Sequence, residues 1–218
     1  MLTSIIVPMY DRPDLSATCL QRIAENTPEP HEVIVVDNGS QPHSVDVTVR
    51  NPTNRGFAVA CNQGARRANG DVLVFLNNDT EVQAGWLPPL LHALQFHDIV
   101  QPLLTYPDGS VQCSGVRVEF SLPPGEEAKN LHDLPLYVTE VDAVTGACLA
   151  IKAETFDRFD EGYLNGYEDV DLCLRHGRCA VVPQSVVVHL ESQSDQGARF
   201  GHAAENIARL RAQHGGAR

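Results

Sequence analysis

The chain has 218 residues, 43% of them hydrophobic and 20% charged, which is enough for a soluble globular domain with a proper core. Twenty-eight acidic residues against 16 basic ones give a formal charge of −12, which excludes a nucleic-acid partner because phosphate binding needs a basic footprint. An anionic substrate would then need a local neutraliser such as a divalent cation. The six cysteines, Cys19, Cys61, Cys113, Cys148, Cys173 and Cys179, form no CxxC pair and sit mostly in apolar runs, as buried thiols of a reducing compartment do. Cys173 and Cys179 flank His176 at a spacing that matches no usual zinc pattern. The start MLTSIIVPMYDRP has neither the basic nor the apolar segment of a signal peptide, and no run reaches the roughly 20 apolar residues that a bilayer requires. A cytosolic chain is expected. Its Gly-Gly-Ala-Arg end reads as a frayed boundary, so it can also be one domain of a longer protein.

Residues 4–7 form a short β-rich run closed by Pro8, and a helix is expected from Pro13, with Leu15, Cys19 and Ile23 as its apolar stripe. Residues 32–37, EVIVVD, are a continuous apolar run of the kind buried on both faces of a parallel sheet. A third strand is expected over 45–50, nearer an edge. A helix follows over 57–68, with Cys61 and Gly64 allowing close approach to the sheet. The run 72–76 then stops abruptly at Asn77-Asn78-Asp79. Strand, helix, strand, strand, helix, strand is the rhythm of a doubly wound α/β layer.

Further on, a helix is expected at 87–94, a strand at 99–104, and a hairpin turn at Pro107-Asp108-Gly109 leading to strands 111–113 and 116–120. Residues 122–136 shift to Pro, Gly, Glu and Asn without periodicity and read as a mobile loop or lid. Residues 141–152 read as one strand, interrupted at Thr145-Gly146 where the backbone bends or something approaches closely. A short helix at 153–156, a loop at 160–165, a helix ending at His176, strands at 180–182 and 185–189, and a helix at 197–214 complete the chain.

Three expected strands end in polar groups: Tyr10-Asp11-Arg12, Asp37-Asn38 and Asn77-Asn78-Asp79. If these strands are parallel, the groups converge where open α/β sheets bind nucleotides. No GxGxxG and no GxxxxGK[ST] is present to hold phosphates through backbone amides, so a bound metal is the economical alternative, with Asp79 as its first ligand. Plain turn chemistry also explains Asn-Asn-Asp. Glu168 and Asp169 begin a helix, where the macrodipole favours ionised acids. They are either an ordinary acidic helix start or a general base for an acceptor hydroxyl. His189 closes the run VVVH as a lone histidine, a type that is more often structural than a ligand.

Five segments stand in order along the chain: SIIVPMYDRPDLSATCLQRI, EVIVVDNGS, NRGFAVACNQGARRANGDVLVFLNNDTEV, VTGACLAIKAETF, and GYEDVDLCLR followed by VVVH. In these segments and their order the chain resembles the family 2 glycosyltransferases with the GT-A fold, especially bacterial rhamnosyltransferase-like members. It implies a three-layer α/β/α sandwich around a central mixed, mostly parallel sheet. It also implies a single domain over 1–218, with a nucleotide-binding part at about 1–104, an acceptor and catalytic part at about 105–192, and a C-terminal helix. Pro8, Tyr10 and Arg12 match the segment flanking the base, and Asp37 the acid that hydrogen-bonds it. Asn62 and Asn78 fall in matching nucleotide-binding motifs, and Arg55 and Gly146 in motifs of less defined role. Asn77-Asn78-Asp79 takes the place of the DxD motif with its first aspartate replaced by Asn77. That leaves Asp79 as a direct ligand of Mn2+ or Mg2+, with His189 completing the metal site. Asp169 matches the catalytic base, and Glu168 a residue that holds the acceptor.

The resemblance further implies an inverting transfer from a UDP- or dTDP-linked sugar to a hydroxyl of a saccharide, lipid-linked or other acceptor. The chain is short for the family, so a partner domain or a homo-oligomer is a possible complement to the acceptor site. The expected location is cytoplasmic or peripheral to the inner face of the membrane. Two other readings stay open. A nucleotidyltransferase would show a basic, glycine-rich loop where this chain has PMYDRPD. A sugar-nucleotide-binding module without turnover would have little use for Asp79, Asp169 and His189 together.

Overall fold

Alternate residues of the apolar runs point to opposite faces of one sheet, which is why the runs are continuous rather than alternating. The computed structural model of the chain describes residues 1–41, 46–123, 125–190 and 201–216. In β1 (Thr3–Met9), Ile5 and Val7 enter one core while Ile6 enters the other. In β4 (Val72–Leu76), Val72, Val74 and Leu76 share the first core, and Leu73 and Phe75 the second. The first core is covered by α1 (Pro13–Asn26) and α3 (Leu87–Ala93). The second is covered by α2 (Phe57–Ala65), α4 (Glu168–His176) and α5 (Ala203–His214). Gly64 of α2 is where the expected close approach occurs, since a Cβ there would lie 2.4 Å from Ile6 Cγ2.

With β2 (His31–Asp37), β3 (Val49–Arg50), β6 (Ile99–Thr105), β10 (Thr139–Val141), β11 (Cys148–Lys152) and β12 (Cys179–His189), the main sheet runs β10-β12-β6-β11-β4-β1-β2-β3. The pairs β3-β2, β2-β1, β1-β4 and β6-β12 are parallel, while β11 runs antiparallel to both β4 and β6. Pro8 can sit in the central strand β1 because pairing with β4 ends at Ile6, so its missing N–H leaves no gap in that ladder.

Several expected elements differ. The third strand is only Val49–Arg50, and Val45 lies outside the described residues. The single strand expected at 141–152 is instead β10 at the far edge and β11 in the middle, separated by an irregular run in which Ala143 bridges Val116. Residues 153–155 are a turn rather than a helix. The two last strands are one, β12, whose register shifts between Val182 and Val186 around Pro183. The start of the expected last helix, 197–200, lies outside the described residues, and α5 begins at Ala203.

Among the described residues of 122–136, one segment is β9 (Ala128–Asn130), antiparallel to β8 (Val116–Val118). Glu127 beside it is buried and ion-paired with Arg211 of α5, whose Nη2 also donates to the Leu122 carbonyl. The expected structureless loop is therefore tied to the last helix. No helix among the described residues is long and apolar enough to cross a membrane.

Candidate active site

The carboxyl ends of β1, β2 and β4 meet at one edge, as their parallel pairing requires. After β1, Asp11 and Arg12 both adopt left-handed backbone, at φ 51° and 49°. Such a conformation costs non-glycine residues roughly 1–2 kcal/mol each. Reciprocal bonds to the β2 loop hold it: the Asp11 amide donates to Ser40 Oγ (2.8 Å) and the Gln41 amide donates to Asp11 Oδ1 (3.1 Å). Tyr10 is half-buried in this loop and Pro8 is buried beneath it. Arg12 pairs with Asp14 at 2.8 Å, which raises the guanidinium's pKa, with a smaller contribution from the charge of Asp79.

Asp37 is buried at the end of β2. Its Oδ1 accepts the Ser40 amide (2.8 Å) and its Oδ2 accepts Arg50 Nη1 (2.5 Å). Asn38 next to it ties down the Asn51-to-Gly56 loop, accepting from Asn51 Nδ2 and the Arg55 amide and donating to Asn54 Oδ1 and the Gly56 carbonyl. The Arg55 side chain is exposed. Asn62, in α2, spends its amide elsewhere, donating to the Phe159 carbonyl (2.9 Å) and Glu161 (3.0 Å) and accepting the Phe159 amide (2.9 Å). The structure thus places Asn62 in a clamp on the 157–166 loop, apart from the Asp37 and Asp79 groups.

Past β4, β5 (Thr80–Val82) pairs with the end of β12, setting Thr80 opposite His189. The Leu190 amide donates to the Asp79 carbonyl (3.0 Å), so the two segments are laced on both sides of the pair. His189 Nε2 then lies 3.2 Å from Asp79 Oδ1, with both side chains largely buried. Asn78 turns away from this pair and donates to Ser16 Oγ of α1 (2.9 Å), and the Asn77 amide donates to the Ala147 carbonyl (2.9 Å). The last contact leads straight to the second constellation. The Gly146 amide donates to Asp169 Oδ2 (2.7 Å), and Asp169 Oδ1 accepts the Val170 amide (2.8 Å). A Cβ at Gly146 would lie 3.2 Å from the Phe57 ring and 3.5 Å from Asp169 Cβ, which is the close approach expected at this glycine.

Helix α4 starts from a strained turn, with Asn165 at φ 52° and Tyr167 at φ 71°. Asn165 Oδ1 accepts the Phe57 amide at the start of α2 (3.1 Å), so the two helix starts are tied together. Asp169 is half-buried and Glu168 fully so. Burial, and next the charge of Asp169, push Glu168 up to about 8, so it favours the neutral carboxyl at neutral pH. Its Oε2 accepts the Gly166 amide (2.6 Å). A neutral carboxyl next to a half-buried carboxylate is how one site supplies both a hydrogen-bond donor and a base.

Sequence reasoning missed Ser16, Ser40, Asn51, Asn54, Gln112 and Asn165. Each is a single polar side chain whose partner lies far along the chain, a relation no local spacing reveals. A separate cleft at the amino end of β4, lined by Met1, Gly70, Asp71, Leu91 and Lys152, lies at the opposite end of the strands from Asp79. Its lining holds two acids, Asp71 and Glu154, with Lys152, and no histidine.

The layer order is that of the GT-A glycosyltransferase fold. GalNAc-T7, solved with UDP, GalNAc and Mn2+, superposes with a TM-score of 0.75 at 19% identity, over 96% of this chain and 47% of that one. The mannosyltransferase PcManGT of Pyrobaculum calidifontis, solved with GDP-Man and Mn2+, gives 0.64 at 19% identity, over 99% and 65%. The chain belongs to glycosyl transferase family 2, whose family model matches residues 4–138. The O-antigen biosynthesis protein RfbC of Myxococcus xanthus is 32% identical over 223 residues, covering 88% of this chain. The chain spans 17% of that relative's length.

Proposed function

We propose that the chain transfers a sugar from a nucleotide-diphosphate donor, UDP- or dTDP-linked, to an acceptor hydroxyl with inversion at the anomeric carbon. One observation carries this reading. Residues 146–147 join the two acid clusters, since the Ala147 carbonyl holds the Asn77 amide after β4 and the Gly146 amide holds Asp169. The acid–histidine pair and the base are thereby fixed relative to each other, as a donor and an acceptor meeting at one bond require.

Asp79 and His189 fit a divalent cation: a hard carboxylate oxygen and an imidazole nitrogen, 3.2 Å apart and largely buried. No group of three or more His, Cys, Asp or Glu that could hold a metal is present among the described residues, so the remaining ligands would be diphosphate oxygens and water. When bound, Mn2+ or Mg2+ neutralises the charge that develops on the leaving diphosphate. That suits a chain of net charge −12.

Asp37, with Pro8, Tyr10 and Arg12, flanks the base. Asn78 shapes the metal loop through Ser16, and Asn62 pins the Phe159 loop that leads into α4. The neutral Glu168 holds the acceptor while Asp169 takes the proton of its hydroxyl. The freed oxygen forms its bond to the anomeric carbon as the bond to the diphosphate oxygen breaks and the nucleoside diphosphate leaves with that electron pair. The acceptor is a saccharide, lipid-linked or other hydroxyl compound, with polysaccharide assembly the setting supported by the RfbC likeness. A cytoplasmic or membrane-peripheral location, and a partner domain or second copy that completes the acceptor site, belong to the same proposal.

Calorimetry with UDP and dTDP, with and without Mn2+, tests this directly. Binding is expected only with the cation and is expected to vanish in Asp79→Ala, whereas Asp169→Asn keeps binding and loses transfer. Cation-independent binding would remove Asp79 from its role, and turnover by Asp169→Asn would remove the base. A panel of nucleotide-sugars screened for thermal stabilisation with Mn2+ identifies the donor.

A further inference from the structure

The ring of His189 is aimed by a side chain that lies in none of the motifs. Gln112 sits in β7 (Val111–Cys113), which runs antiparallel along the end of β6, and is 4% exposed. Its Nε2 donates to the backbone carbonyl of His189 (3.0 Å), and its Oε1 lies 2.7 Å from Nδ1 of the same residue. A carbonyl oxygen can only accept, so the amide nitrogen must face it and the amide oxygen must face the ring. A ring nitrogen opposite an acceptor carries the hydrogen. Nδ1 therefore carries hydrogen; Nε2 faces an acceptor as well, Asp79 Oδ1 at 3.2 Å, so its lone pair is free only when a cation stands between the two.

We propose that Gln112 is a positioning residue for the cation site. It sets the Nδ1–H tautomer and the ring direction of His189, so that the Nε2 lone pair and an Asp79 oxygen are presented side by side. The role rests on the cation-dependent reading above. Both contacts go to one residue, so the side chain fixes the histidine's backbone and ring together. Partners that orient metal-bound histidines in this way typically change metal affinity by about 10–100-fold when lost.

Two measurements on the full chain test this. Nitrogen-15 NMR of the histidine rings at pH 8.5, with His189 assigned by its absence in His189→Gln, is expected to show hydrogen on Nδ1. A bare Nδ1 would overturn the proposal without any Gln112 variant. Mn2+ titration followed by electron paramagnetic resonance, with UDP, dTDP and GDP supplied in turn, is expected to show binding weakened about 10–100-fold in Gln112→Met. Gln112→Glu, which keeps an acceptor opposite Nδ1, is expected to recover part of that loss. Wild-type affinity in a folded Gln112→Met chain would overturn the role of Gln112 and leave the cation reading intact. Failure of the wild-type chain to bind Mn2+ with any of the three nucleotides would overturn the cation reading, and this role with it.

Discussion

The parallel half of the sheet and the carboxyl-terminal clamp around α4 and α5 are held by different forces. In the first, β3-β2-β1-β4 is sandwiched between α1 and α2, and residues such as Ile5, Ile6, Val36, Val74 and Phe75 are fully or almost fully buried. In the second, α5 buries Leu210 and otherwise docks through polar pairs. Arg211 pairs with Glu127, Arg209 with Asp160 (2.6 Å), His214 with Asp171 (2.8 Å), and Tyr163 Oη donates to Gln213 (2.6 Å). Asn206 exchanges two bonds with the backbone of Leu164. The strand ends that carry Asp37 and Asp79 thus stand on a hydrophobic frame, whereas α5 is docked by charges that solvent conditions can loosen.

The sharpest way to break this comparison is Phe75→Ala. The ring packs against Phe156 and Phe159 at centroid distances of 5.0 and 4.9 Å, and its loss is expected to cost about 3–5 kcal/mol in denaturant unfolding, independent of salt. A cost below about 1 kcal/mol would mean that the frame is not what holds the strand ends at Asp37 and Asp79.

Acid should act on the other half first. Burial works to raise Asp157, but hydrogen bonds from Arg175, the Arg158 amide and His176 outweigh it and hold it at about 2, below its ordinary 3.8. Burial is likewise outweighed at Glu127 by Arg211 and two amides, and at Asp160 by Arg209 and its neighbours, so both are lowered too. A depressed folded-state value stabilises the fold above the unfolded value and ceases to do so as pH falls through the folded one. Hydrogen exchange between pH 4 and 2 should therefore show α5 and the 122–130 segment opening before β1, β2 and β4. Simultaneous opening would erase the distinction.

The smallest effect is expected at Arg22→Ala. Arg22 joins Glu81 (2.9 Å) and Glu25 (3.1 Å) on the surface of the hydrophobic half and is about 43% exposed. Such pairs contribute roughly 0–1 kcal/mol, so its thermal midpoint should stay near that of the parent. A large drop would show that surface charge matters to the frame as well.

The same physical contrast decided what could be read from the sequence. Strands buried on both faces, such as β2 and β4, announce themselves as apolar runs, and α1 was legible from Pro13, Cys19 and Ile23. Strands β5, β9 and β10 were not, because each is three residues long, and the partners of β5 and β10 lie far away: Thr80–Val82 on residues 187–189, Thr139–Val141 on residues 179–181. Residues 122–136 looked structureless because β9 is partly exposed and its anchor, Glu127, depends on an arginine 84 positions later. Of the site, Asp79, His189, Glu168 and Asp169 stood out through motifs, and the structure does bring them to two adjoining clusters. Gln112 and Asn165 could not stand out, since a lone amide in a short strand or loop has no pattern of its own.

The position of β11 has a consequence for how the chain must be made. It lies between β4 and β6, yet residues 148–152 follow both in the sequence. While the chain emerges from the ribosome, the apolar edges of β4 and β6 stay unpaired until this late strand arrives to fill the gap. Pairings this distant close slowly, and unpaired apolar edges invite association between chains. A nascent or truncated chain that stops short of Cys148 should therefore collect in aggregates, with β1 to β4 fully synthesised but the sheet left open in the middle.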